Sequence, residues 1–534
     1  MILLDGASLT LAQLIAIAVD GEPVAIAADA ARRVRTARAV VDRAAEGGEP
    51  VYGINTGFGS FAEVMIAPEA LEALQGNLVR SHAAGLGAPL SISSVRAAMA
   101  LRANVLAKGF SGIRLETLEA LIAMLNARVH PLVPSRGSVG ASGDLAPLAH
   151  IALVLIGEGH AWDERSADEK RLASGPPPDP PRSPSPARAT WRGVVPTIPG
   201  IEALRRAGLK PVRLGPKEGL ALINGTQPST AILALTLEGA DRLARAADIA
   251  AALSIDALRG SVRPFDARIH EARGVPGQIA SAANIERLMA GSGINRSHQA
   301  CGHVQDAYSM RCAAQVHGAV REALDFIRRI VEAEANAGTD NPMVFVDTDE
   351  IVSGGNFHGA PIALAADLLA IALVPLATIS ERRIDRLLDP VLSGLPPFLT
   401  REGGLQSGLM LAQVTAAAAA SELKTLAHPA GVDTIPTSAN QEDHVSMSMA
   451  AALKAARSLE RAREVVAIEI LCASQAIDLL APLQTSPALV RARDLVRSRV
   501  ATLDNDRPPS PDIIAITELI ETNELSSACG VVVK

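Results

Sequence analysis

Beyond residue 217, apolar residues recur at three- and four-residue spacing over long stretches: Thr230 to Leu258, His317 to Asn336, Pro361 to Leu388, Leu409 to Ala427 and Ser446 to Leu480. That spacing lines one face of an α-helix, so the pattern predicts a bundle of long helices. Helices this long need neighbours along their length, within a bundle or between subunits. Residues 1 to about 160 read differently, as short helical patterns broken by Gly-rich loops. The two main loops are Tyr52-Gly53-Ile54-Asn55-Thr56-Gly57-Phe58-Gly59 and Arg136-Gly137-Ser138-Val139-Gly140-Ala141-Ser142-Gly143-Asp144. Between the two regimes, from Asp163 to Arg192, the chain turns to Pro, Ser, Asp and Arg, which predicts a surface insertion without a core. The expected organisation is an N-terminal region over 1–200 that carries the insertion at about 163–192, followed by a helical region over 201–534.

Composition sharpens the fold class. Hydrophobic residues make up 48% of the 534 positions but aromatics only 2%, so the core is aliphatic. Ala and Leu favour helix, whereas strands draw on β-branched and aromatic residues. The class expected is mainly α, with a long-helix bundle and a Gly-loop-rich N-terminal region. The net charge of −7 is spread without a basic block, which points away from nucleic acid and towards small-molecule chemistry. Cys301, Cys312, Cys472 and Cys529 show no paired spacing and read as reduced thiols of a cytoplasmic protein. The start of the chain lacks a basic segment and carries Asp5 and Asp20 around its apolar stretch, unlike a secretory signal. Leu368 to Ser380 is too short to cross a bilayer and contains Pro375, so no membrane partner is expected. The histidines and cysteines form no zinc motif, and no Gly-rich nucleotide loop follows a strand, so neither a metal nor a nucleotide cofactor is expected.

The candidate chemistry lies in the loops. Ala-Ser-Gly by itself is a common turn, and the chain holds a second copy at Ala173-Ser174-Gly175. Only the first is flanked by a Gly-rich approach and by Asp144-Leu145-Ala146-Pro147-Leu148-Ala149-His150, which reads as a helix start with Asp144 as its N-cap.

Residues Gly137 to His150 closely resemble the signature of the aromatic amino acid ammonia-lyases, and further segments, Ala333 to Phe345, Ser380 to Ile384 and Ala420 to Met447, are similar to the histidine branch of that family. The resemblance implies that Ala141, Ser142 and Gly143 cyclise into 4-methylidene-imidazol-5-one (MIO), an electrophile made from the chain itself. Gly143 allows the tight bend, Ala141 leaves its carbonyl accessible, and the Ser142 hydroxyl departs as water to leave a methylene. The implied reaction removes ammonia from L-histidine to give trans-urocanate. The chain's two tyrosines, Tyr52 and Tyr308, both fall in motifs of the family. The resemblance makes Tyr52 the base for the β-proton and Tyr308 an aid to MIO. It also implies that Asn224 bonds MIO or the substrate amine and that Phe357 lines the electrophile. The planar fork of Arg311 suits a substrate carboxylate, and the spacing of Gln305, three residues before Tyr308, places it near that tyrosine on a helix face. His82 and Glu442 match the histidine branch. A carboxylate at Glu442 can accept a hydrogen bond from one imidazole nitrogen while His82 meets the other. A homotetramer with active sites shared between subunits is implied as well. Ala307, the pair Ala313-Ala314, Gln406 and Leu409 depart from the family's usual residues and bear on substrate affinity. The competing readings are a tyrosine or phenylalanine lyase or aminomutase of the same family, and a silent scaffold without MIO.

Overall fold

The computed structural model describes residues 1–163, 197–298 and 304–534. The second Ala-Ser-Gly, Cys301 and all of the Pro-rich insertion but Asp163 lie outside those residues. The described chain is mostly helical. Its long helices are Gln227–Ala257, Ala313–Ala335, Ala360–Leu388, Met410–Leu426 and Ser448–Leu479, within a few residues of the stretches that periodicity marks. The apolar Leu368 to Ser380 segment belongs to a 29-residue helix that runs through Pro375. That helix is long and apolar enough to cross a bilayer, yet 61% of its most apolar window is buried inside the protein, as in a core helix.

Two compact units form, and neither is continuous in sequence. The first comprises Met1–Leu235, Arg329–Leu364 and Ala430–Leu453; the second comprises Thr236–Arg328, Ala365–Pro429 and Lys454–Lys534. In the first unit the Ile92–Ala107 helix is buried from Val95 to its end and packs on Leu115–Asn126. Leu145–Leu155 packs on both Leu71–His82 and Glu218–Ile223. A short antiparallel pair, Leu86–Pro89 with Pro134–Arg136, delivers the chain into the Gly137–Asp144 loop. Arg102 is buried beneath this region. Its guanidinium donates to the Ala221 and Thr339 carbonyls and to Gln227 Oε1, and burial lowers its pKa to about 10, against the opposing pull of Asp340.

The second unit holds a fully buried ion pair, Arg383 Nη2 to Glu469 Oε2 at 2.8 Å. Ser254 and Ser380 also donate to the two Glu469 oxygens, at 2.7 and 2.6 Å. A buried carboxylate needs such a full complement of donors to offset its lost hydration.

Candidate active site

The Gly137–Asp144 loop is fixed by its backbone. Gly137, Gly140 and Gly143 take φ of 140°, 68° and 70°, angles that L side chains avoid. At Gly143 a Cβ would stand 2.3 Å from the Gly225 carbonyl oxygen, so the close approach of the two strands of chain admits only glycine. Asp144 N–H donates to that same carbonyl at 2.8 Å. On the other side of the loop, Met447 N–H donates to the Val139 carbonyl at 2.8 Å, and Ser446 Oγ donates to the Gly140 carbonyl at 2.9 Å.

Asp144 stands at the cap position of Leu145–Leu155 but makes no capping hydrogen bond, which corrects the expectation from sequence. Its carboxylate turns into the loop instead, accepting from Ser138 Oγ at 2.6 Å and from Ser229 N–H at 2.8 Å. Complete burial raises its pKa, and those hydrogen bonds oppose the rise. The carboxylate thus ties loop to helix rather than closing the helix end.

Ser142 points at a carboxylate. Its Oγ donates to Glu442 Oε1 at 3.0 Å, and Thr437 Oγ1 donates to Glu442 Oε2 at 2.5 Å. Asn224, at the end of Glu218–Ile223, is 4% exposed and immediately precedes Gly225. Its Oδ1 is buried with no protein partner, a polar atom awaiting a donor. These features suit the cyclised group: a glycine bent where Gly143 must bend, a serine whose leaving hydroxyl is already hydrogen-bonded, and an unpaired amide beside the loop's partner strand.

The other sequence candidates of the first unit have their own settings. Tyr52 receives the Gly59 N–H on its hydroxyl at 3.4 Å and meets Phe58 edge-on at 6.3 Å. It lines a cavity of about 600 Å³ with Arg43, Pro342 and Asp349, to which neither Ser142 nor Glu442 contributes. His82 ends the Leu71–His82 helix, with Nδ1 2.8 Å from the Leu78 carbonyl. A carbonyl only accepts, so Nδ1 is the donor in this contact and Nε2 is left for another partner. Phe357 is half-buried in a turn. Beside it His358 stacks on His444, with ring centroids 5.7 Å apart and planes 11° from parallel.

Tyr308, Arg311 and Gln305 belong to the second unit. Tyr308 opens the four-residue helix Tyr308–Arg311 and is 71% exposed. Arg311 lays its guanidinium over the Tyr308 ring, 4.6 Å from the centroid, and its Nε is buried without a hydrogen-bond partner. Gln305 is exposed and precedes the helix, so the shared helix face expected from its spacing does not exist. The reason is local: Asp306 Oδ2 is held by the Ser261 N–H at 2.7 Å, and Ala307 is extended as the N-cap.

Sequence reasoning passed over Thr437, the His358–His444 stack and Arg102. Thr437 and His444 lie within five residues of Glu442, and His358 adjoins Phe357, so proximity to a named residue was the only signal available.

The chain is mainly helical and holds Ala-Ser-Gly in a glycine-bent, part-buried loop with its serine against a carboxylate. Comparison with known proteins gives the family. Residues 9–498 match the family described as aromatic amino acid lyase. Histidine ammonia-lyase of Anaeromyxobacter dehalogenans is 55% identical over 526 residues, covering 98% of this chain and 99% of that protein. The crystal structure of histidine ammonia-lyase from Trypanosoma cruzi superposes with a TM-score of 0.86 at 42% identity, over 99% of this chain and 95% of that one. Tyrosine aminomutase from Streptomyces globisporus superposes with a TM-score of 0.89 at 35% identity, over the full length of both chains. The chain belongs to the aromatic amino acid lyase family and is a lyase.

Proposed function

We propose that the protein removes ammonia from L-histidine to give trans-urocanate, with MIO formed from Ala141, Ser142 and Gly143. The observation that carries this reading is Glu442 at 3.0 Å from Ser142 Oγ. It sets an acceptor for an imidazole N–H at the very residue that becomes the electrophile. The relatives named histidine ammonia-lyase support it, being 49–55% identical over nearly the whole chain. When formed, MIO supplies the electrophile that activates the substrate for loss of ammonia.

The chain's own residues do the remaining work. Arg311 pairs with the substrate carboxylate, and Glu442 accepts the ring N–H. His82 is the polar partner of the other ring nitrogen, its Nε2 accepting that nitrogen's N–H when the substrate imidazole is protonated. Tyr52 holds the β-proton on its phenolic oxygen as it leaves carbon. Asn224 offers its unpaired Oδ1 to the loop or to the amine, and Phe357 lines the site. Tyr308 assists MIO, and Gln305 binds the substrate.

The assembly is a cytoplasmic homotetramer in which subunits share active sites. Support comes from apolar side chains left exposed on two long helices: Leu364 at 63% and Ile371 at 44%, two turns apart, and Leu411 at 57% and Val414 at 56%, one turn apart. Long helices with apolar outer faces call for partners.

Ultraviolet detection of urocanate from purified protein, run beside L-phenylalanine and L-tyrosine, tests the function. A site built to hydrogen-bond an imidazole rejects a hydrocarbon ring by about 10⁴-fold, so histidine should dominate in kcat/KM. Equal turnover of phenylalanine, or a β-amino acid product from tyrosine, would move the protein to another branch of the family.

A further inference from the structure

Glu442 has two carboxylate oxygens with two different fates. Oε1 faces Ser142 Oγ at 3.0 Å, and that hydroxyl is the one cyclisation expels as water. Oε1 therefore loses its internal donor on maturation. Oε2 keeps the Thr437 hydroxyl at 2.5 Å.

The segment between the two residues is built to hold this contact. Thr437 N–H donates to the Glu442 carbonyl at 3.0 Å, and Glu442 N–H donates back to the Thr437 carbonyl at 3.3 Å. Within that closed loop Ser438, Ala439 and Asn440 take φ of 50°, 53° and 66°. Three successive non-glycine residues in the left-handed region is a conformation L-residues avoid, and such outliers persist only where the surroundings enforce them. Here the enforced turn delivers one hydroxyl to one carboxylate oxygen.

We propose that Thr437 is a positioning residue for Glu442, fixing Oε2 so that Oε1, uncovered when Ser142 loses its hydroxyl, points at the substrate's ring N–H. A glutamate has three rotatable side-chain bonds, and a half-exposed one swings freely without a second anchor. The charged acceptor and short distance make the Thr437 bond a strong one. This inference rests on the reading of Glu442 as the carboxylate that receives the imidazole.

The test is a double-variant cycle on the full-length protein, read as kcat/KM for L-histidine. Thr437→Val lowers it by about 10- to 100-fold, the range expected when a hydrogen bond to a charged group is lost. Thr437→Ser, which keeps the hydroxyl, restores most of it. In a Glu442→Ala background Thr437→Val has no further effect beyond about twofold, because nothing remains for it to position. A parental rate for Thr437→Val, an equal loss for Thr437→Ser, or a full additional loss in the Glu442→Ala background would overturn the proposal. An unimpaired Glu442→Ala would instead remove the reading of Glu442 itself, and Thr437 with it.

Discussion

The Gly137–Asp144 loop and the Tyr308–Arg311 helix stand out equally in the sequence, yet the protein treats them in opposite ways. The loop is gripped from both sides, by Gly225 on one and by Ser446 and Met447 on the other, and Ala141 is buried. Tyr308 is 71% exposed at the head of a four-residue helix, its ring covered on one face by Arg311. The loop is fixed by contacts within its own unit. Tyr308 is offered outward, as the proposed sharing of active sites between subunits would require.

Substitutions can break this contrast. The largest loss is expected for Ser142→Ala, which has no hydroxyl to expel. Activity should fall on the order of 10³-fold or more, the scale of a lost electrostatic stabiliser, while circular dichroism and oligomer size stay unchanged. Turnover near the parental rate would separate the loop from the chemistry. Tyr52→Phe comes next, lowering kcat by roughly 10²- to 10⁴-fold as expected for a lost proton acceptor, and an unchanged kcat would exclude Tyr52.

Tyr308→Phe sharpens the comparison. An exposed side chain contributes within about 0.5 kcal/mol to stability, so the melting temperature should hold while activity drops. Co-assembly of Ser142→Ala and Tyr308→Phe subunits should then restore a fraction of the activity, because some sites draw both intact residues from different chains. Mixtures no more active than the separate variants would mean that the two regions never serve a common site across subunits.

The smallest effect concerns pH. His150, on the helix that leaves the loop, accepts the Gly85 N–H on Nε2 at 3.2 Å, and burial lowers its pKa from 6.5 to about 4. Protonation is thus harder in the folded protein than in the unfolded one. The resulting stability is complete above pH 6.5 and is lost as pH falls towards 4, with a ceiling of about 3 kcal/mol. His150→Gln keeps an acceptor and does not titrate, so its unfolding free energy should fall less across that window. Parallel curves for the two proteins would exonerate His150.

Much of the fold was legible because long helices repeat one signal many times. Ser446 to Leu480 in the pattern became Ser448–Leu479 in the structure. Three-residue strands such as Pro134–Arg136 carry no alternation to read, and four of the five points where the chain passes from one unit to the other fall inside unbroken helices. The loop was legible because its glycines, serine and aspartate form a contiguous motif. Its supports were not: Thr437, Gly225 and Ser446 are ordinary residues whose importance comes from what they meet in space. Asp144 misled for a related reason, since its position promised a helix cap while its nearest unsatisfied donors were Ser138 and the Ser229 amide.

The central claim, that the chain converts its own Ala141-Ser142-Gly143 into the electrophile, is tested most directly by mass spectrometry of the native protein and of its proteolytic fragments. The account predicts a protein lighter than its sequence by two waters, with the deficit confined to the fragment containing residues 137–144 and absent from the one containing Ser174. A full-sequence mass, or a deficit located at Ala173-Ser174-Gly175, would contradict it.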